Sequence, residues 1–314
     1  MARFAHITLG KAGSQWVKDV LTDPQIFAGQ GLRLVQPQGG FSMASFAAEP
    51  DRTLVAPAFH VSYDEWRAFS RAGDRSVVVL RDPRDSIVSW AFSVAYSHVT
   101  EPHVSIIRPA MLALDLRGKL EVSMYTYWES ADVQRSWANR APTPSERVFR
   151  YEDLVADEHA AFRSMIDYLG WRVDAADLTE VVDRLTFAKR SGGRVRGEKD
   201  AFSHFRNGVP GDWKNYFDRS LAERFERASP GLLTALGYET SDDWWRGQPE
   251  TVEALAAEAA GDVDAMRREL ARTRASLVAA ERVREQLLSR IDALSGIERD
   301  IDAIMRRLAP EAAR

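Results

Sequence analysis

The 314-residue chain contains no cysteine. That excludes disulfide staples, thiolate catalysis and cysteine-bound metal, and it fits a reducing compartment, so we expect a cytoplasmic protein. No apolar run approaches the roughly 18 residues of a transmembrane segment. The opening MARFAHITLG is too short in apolar residues for a secretory signal. Net charge is −4, which argues against a general nucleic-acid surface. Lysine is scarce, six of the 42 basic residues, and the abundant arginine suits planar oxyanion recognition. The phosphate-loop pattern G-x-x-x-x-G-K-[ST] is missing, and no His, Cys or carboxylate cluster has metal-ligand spacing, so no metal is expected.

No aromatic residue follows Trp245. Large aromatics fill globular cores, so the chain divides into a globular part, 1–247, and a tail, 248–314. In the tail, apolar residues recur at spacings of three and four: Val263, Met266, Leu270, Leu277, Ala280, Leu287, Ile291, Leu294, Ile301, Met305 and Leu308. Thr273, Arg284 and Glu298 interrupt the stripe. The pattern predicts a long C-terminal helix, either lying on its own domain or forming a coiled coil that joins copies into a homo-oligomer.

What is present in the front part alternates between two periods. RFAHITL (3–9) reads as a strand and Ser14 to Leu21 as a helix. RTLVAP (52–57) is a short strand, and Ser62 with Glu65 forms a capping box that opens a helix. SVVVLR (76–81) has the continuous apolar run of a strand buried on both faces. Asp82 and Pro83 then suit the cap and first position of a helix, with Asp85 in its first turn. ERVFRYEDL (146–154) is a strand and turn, and 157–170 a helix stopped by Gly170. This order implies an α/β fold: a three-layer sandwich with a central, largely parallel sheet.

Ligands of such sheets bind beyond the carboxyl ends of the strands. Lys11, Gly13 and Ser14 follow the first strand, His60 the second, Arg81 and Ser89 the third, and Tyr151 the fourth. Two cations, hydroxyls, an imidazole and a phenol on one rim suit an anionic ligand with an aromatic part, beside a possible general base.

LRDPRDSIVSW (80–90) and FRNGVPGDWKNYF (205–217), with GKAGSQW (10–16) and RYEDL (150–154), resemble the sulfotransferase family that uses 3′-phosphoadenosine 5′-phosphosulfate, PAPS. The resemblance spans about residues 5 to 240 and implies a P-loop-NTPase-like sulfotransferase fold. It places Lys11, Ala12, Gly13, Ser14, Gln15 and Trp16 around the 5′-phosphosulfate, with Ala12 and Gln15 departing from the family's hydroxyl residues. It puts Arg81, Ser89, Arg206, Asn207 and Gly208 on the 3′-phosphate, Asn207 standing where the family has Lys. Tyr151, Thr186 and Phe187 fall on the adenosine side, and His60 matches the family's base. His98, His103 and His204 are rival bases, while His6 and His159 read as structural.

The implied reaction moves a sulfo group from PAPS to a hydroxyl, or an amine, of a small molecule, glycan or glycolipid, leaving PAP. His60 is the base, and Lys11 stabilises the departing bridge oxygen. The segments 36–50, 92–125 and 191–205 are expected to shape the acceptor pocket, with Phe41, Phe46, Phe92, Tyr96 and Arg108 among its side chains. QPQGGFSMASF (36–46) reads as a loop or lid. The alternatives are a degenerate domain serving a coiled-coil scaffold and a nucleotide kinase. The kinase lacks both its loop and a Mg²⁺-binding Asp, because Asp82 reads better as a cap.

Overall fold

The computed structural model describes residues 2–37, 42–98 and 102–255. The heptad-like stripe and Phe41 lie outside these residues, as does the side chain of His103. Five strands, β1 (Phe4–Thr8), β2 (Arg33–Val35), β3 (Thr53–Phe59), β4 (Arg75–Leu80) and β5 (Glu146–Arg150), form one sheet in the order β2-β3-β1-β4-β5. Every pairing is parallel. Alternate residues of each strand enter different cores. Val55, Ala58, Val78 and Leu80 join Trp66 and Ile87 on one face. Leu54, Ala56, Val77 and Val79 join Val17, Phe162 and Ile166 on the other. Helices therefore cover both faces, which is why the strands read as apolar runs rather than as alternations.

The predicted boundaries have physical causes that the structure displays. Ser62 Oγ accepts from Glu65 N at 3.2 Å while Ser62 N donates to Glu65 Oε2 at 2.9 Å, opening the helix Tyr63–Phe69. Asp82 Oδ1 accepts from Arg84 N at 2.9 Å ahead of Pro83, starting Pro83–Phe92. Gly170, at φ 72°, ends Glu158–Leu169.

The segment expected as a lid differs. Met43–Ala48 is a helix capped by Ser42, and Phe46 is fully buried with its ring 5.5 Å from that of Trp66. Phe46 therefore belongs to the core rather than to an acceptor pocket, because its helix docks on the helix 63–69. Packing also continues past the last aromatic residue, with Val252 buried and Leu255 against the core.

The chain runs from central β1 to edge β2, returns to β3, then crosses to β4 on the other side of β1. The carboxyl ends of β3, β1 and β4 are thus neighbours at the place where the winding reverses. At the opposite end of the sheet, Arg3 is buried with Asp74. Arg3 Nη1 donates at 2.8 Å to the carbonyls of Phe46 and Ala47, and Arg3 N donates to Asp74 Oδ1 at 2.9 Å. This pair ties the start of β1 to the turn before β4. Asp74→Ala leaves a buried guanidinium unpaired and should cost about 3–5 kcal/mol in denaturant unfolding.

Candidate active site

The loop after β1 turns sharply. Lys11 has φ 67° and Gly13 φ 78°. At Gly13 a Cβ would stand 3.0 Å from Cδ2 of Tyr151, so the backbone meets that ring only as glycine. The strained Lys11 is held from outside, because its carbonyl accepts from Arg81 Nη1 at 2.8 Å. The loop leads into the helix Ser14–Leu21, whose first N–H groups have no side-chain cap.

Arg81 follows β4 and is buried. Its guanidinium lies 4.4 Å from the centre of the Tyr151 ring, and its carbonyl accepts from Gln134 Nε2 at 2.7 Å. Arg206 is brought to the same place by a chain of contacts that no motif announces. Asp85, in the first turn of 83–92, accepts from Gly211 N at 2.7 Å and Trp213 N at 2.9 Å. The turn so fixed carries Asp212, which pairs with Arg206 and, at 2.9 Å, with Lys199. Arg206 also lies 4.8 Å from the centre of the Phe92 ring and donates to Tyr216 OH at 3.1 Å. Phe92, expected at the acceptor pocket, thus supports a cation.

These groups face a cavity of about 460 Å³. Lys11, Gly13, Ser14, Gln15 and Trp16 line it, together with Arg81, Ser89, Tyr151 and Phe187, and with Arg206, Asn207 and Gly208. The loop, both arginines, the hydroxyl two turns into the helix and the two aromatic rings therefore meet. Burial, joined by the like charges of Arg81 and Arg206, lowers the Lys11 ammonium to about 7. Nε of Arg81, Nε of Arg206 and Oδ1 of Asn207 are buried without a protein partner. A site short of negative charge, with unused donors, fits an anionic ligand with phosphate-like oxygens.

Two candidate ligand residues stand apart from the cavity. The Ala12 methyl is fully buried in the core. The Thr186 hydroxyl donates to the Asp183 carbonyl at 3.2 Å and does not line the cavity. Gln15 reaches the cavity, but its Oε1 accepts from Lys18 at 2.9 Å.

The histidines sort clearly. His60 sits at the end of β3 with φ 57°, exposed and outside the lining, beside Phe59, which does line the cavity. Its Nδ1 is 3.5 Å from Ser130 Oγ. Partial burial lowers its basicity and the Glu129 carboxylate raises it, with a net shift downward. His98 and His204 both line the cavity. His6 is buried in β1 and depressed to about 3, chiefly by burial, and His159 makes a surface contact with Asp183 at 3.1 Å. Arg190 and Arg196 also line the cavity, and no sequence motif points to either.

The sulfotransferase domain model matches residues 38–237, well over half of the chain. The chain therefore belongs to the sulfotransferase family and is a PAPS-dependent transferase. The match begins after the Lys11 loop, so the geometry adds that loop to a site whose other parts lie inside the match. The 3-alpha-hydroxysteroid sulfotransferase of Cavia porcellus is 21% identical over 240 residues, covering 70% of this chain and 80% of that protein. The 3-beta-hydroxysteroid sulfotransferase of the same species is 22% identical over 170 residues, covering 51% and 56%. Among solved structures, mouse sulfotransferase SULT7A1 complexed with PAP covers 76% of this chain and 87% of its own, with 18% identity and a TM-score of 0.48.

The depressed Lys11 sets a pH dependence. Below about pH 7 it is already charged, whereas above that value an anion must draw a proton onto it. PAP affinity measured calorimetrically should be nearly level between about pH 6, below which the ligand's phosphates take up protons, and pH 7, and then fall by up to about tenfold per pH unit. In Lys11→Met the fall should disappear.

Proposed function

We propose that the chain transfers the sulfo group of PAPS to the hydroxyl of a small molecule with an apolar face, giving a sulfate ester and PAP. The observation that carries this reading is the convergence of Lys11, Arg81 and Arg206 on one cavity with buried donors unused. When bound, PAPS supplies the activated sulfo group and a departing bisphosphate. Arg81, Ser89 and Arg206 hold the 3′-phosphate. Lys11 and the N–H groups at the start of the helix 14–21 stabilise negative charge on the bridging oxygen. His60 accepts the hydroxyl proton through Nε2 when Nδ1–H donates to Ser130. Positioning of the two reactants against each other supplies most of the rate.

Phe59, Trp90 and Phe205 line the remaining wall, which favours an apolar acceptor over a glycan. The names of the hydroxysteroid sulfotransferases support the same class. No helix among the described residues is long and apolar enough to cross a membrane, and the lack of cysteine supports a reducing compartment such as the cytoplasm. The 248–314 stripe supports a homo-oligomer.

His98 and His204 line the cavity while His60 does not, which favours a second reading of the base. His60→Ala should lower kcat by about a hundredfold or more while leaving PAP affinity unchanged. Full activity in this variant, with loss in His204→Ala, would transfer the role to His204. Binding of 5′-AMP as tight as that of PAP would refute the PAPS reading itself. A chain cut after Leu255, which keeps the packed Val252 and Leu255, should run on a sizing column at lower oligomeric state than the full chain.

A further inference from the structure

We infer that Arg196 is the positioning residue for the flat base of the nucleotide and sets the preference for a purine; this rests on the PAPS reading. Arg196 comes from the irregular stretch between the helix Phe187–Arg190 and the Gly211 turn, and it lines the cavity half-buried. Its guanidinium lies 5.6 Å from the centre of the Trp16 ring and 5.3 Å from that of Phe187. These rings belong to different elements, the helices 14–21 and 187–190, and both face the cavity. Arg196 is therefore a flat cation touching two aromatic faces in the free protein.

Its position is fixed from two further sides. Nη1 donates to the Gly208 carbonyl at 2.7 Å, and Nη2 pairs with Glu158 at the start of the helix 158–169. Gly208 itself packs so tightly that a Cβ would come within 2.5 Å of Cδ2 of Phe187. Four elements of the wall thus meet at one side chain. A guanidinium carries five N–H groups in a rigid fork. Two are used here, which leaves donors for ring nitrogens of a base. Trp16 and Phe187 keep surface on the cavity beside the guanidinium, and that surface with the flat guanidinium itself stacks a heteroaromatic ring, more strongly the larger its π surface. A bicyclic base reaches both rings and the fork, whereas a single ring reaches less of this surface.

The test is calorimetric binding of PAP and uridine 3′,5′-bisphosphate to the full chain, to Arg196→Ala and to Arg196→Lys. The wild type should prefer PAP. Arg196→Ala should reduce PAP affinity about tenfold while changing the uridine compound less than twofold. Arg196→Lys keeps the charge without the fork and should shrink the preference in the same direction, which carries the test should the alanine variant melt early. Arg81→Ala should weaken both ligands by the same factor. An unchanged ratio in both Arg196 variants overturns the assignment and leaves the PAPS site standing. Failure of the wild type to bind either bisphosphate overturns both together.

Discussion

Positive charge held against burial is the constraint on which the cavity depends. Lys11, Arg81 and Arg206 would repel one another in a closed space, and the lowered ammonium of Lys11 shows the strain. Each is restrained by neutral or shared partners. Lys11 Nζ donates to Ser93 Oγ at 2.9 Å, Arg81 lies on the Tyr151 ring and 3.7 Å from Asp85, whose oxygens also serve Gly211 and Trp213, and Arg206 leans on Phe92 and shares Asp212 with Lys199. Aromatic faces and hydroxyls fix a cation without cancelling its charge. Carboxylates against every cation would give a more stable empty protein and a poorer anion site.

The sheet makes this arrangement possible. With β1 central and β3 and β4 on either side, the three strand ends open onto one crevice, so residues far apart in sequence share one rim. The loop after β1 contributes backbone donors and Lys11, the end of β4 contributes Arg81, and the helix 83–92 contributes Ser89 from within and Asp85 as an anchor. The stretch 205–213 then covers the crevice from the other side.

Much of this could be read before the fold was known, because it is written locally. Strand ends follow from apolar runs, helix starts from Ser62, Asp82 and Pro83, and the rim from the general behaviour of parallel sheets. Lys11, Arg81, Ser89 and Arg206 lie in short motifs whose spacing carries the geometry. β2 was not legible because three residues, one exposed and two half-buried, leave no periodic signal. Phe46 looked like a pocket aromatic because composition cannot distinguish a loop from a short helix docked on Trp66. Arg190 and Arg196 lie in or next to an irregular stretch, where no period predicts which side chain turns inward. Asp85 reads as an ordinary first-turn acid, since its partners lie 126 and 128 residues further along the chain.

The Asp85 anchor has a consequence for what the protein can vary. One carboxylate joins the first turn of the helix 83–92 to the backbone that bears Arg206, so the two sides of the cavity are tied in one register. Phe59, at the end of β3, stands outside that linkage, whereas Trp90 rides on the anchored helix and Phe205 directly precedes Arg206. Substitution at Phe59 alters the cavity wall without touching the segments that carry Arg81 and Arg206. That part of the wall is thereby free to change shape without rebuilding the backbone that carries either arginine.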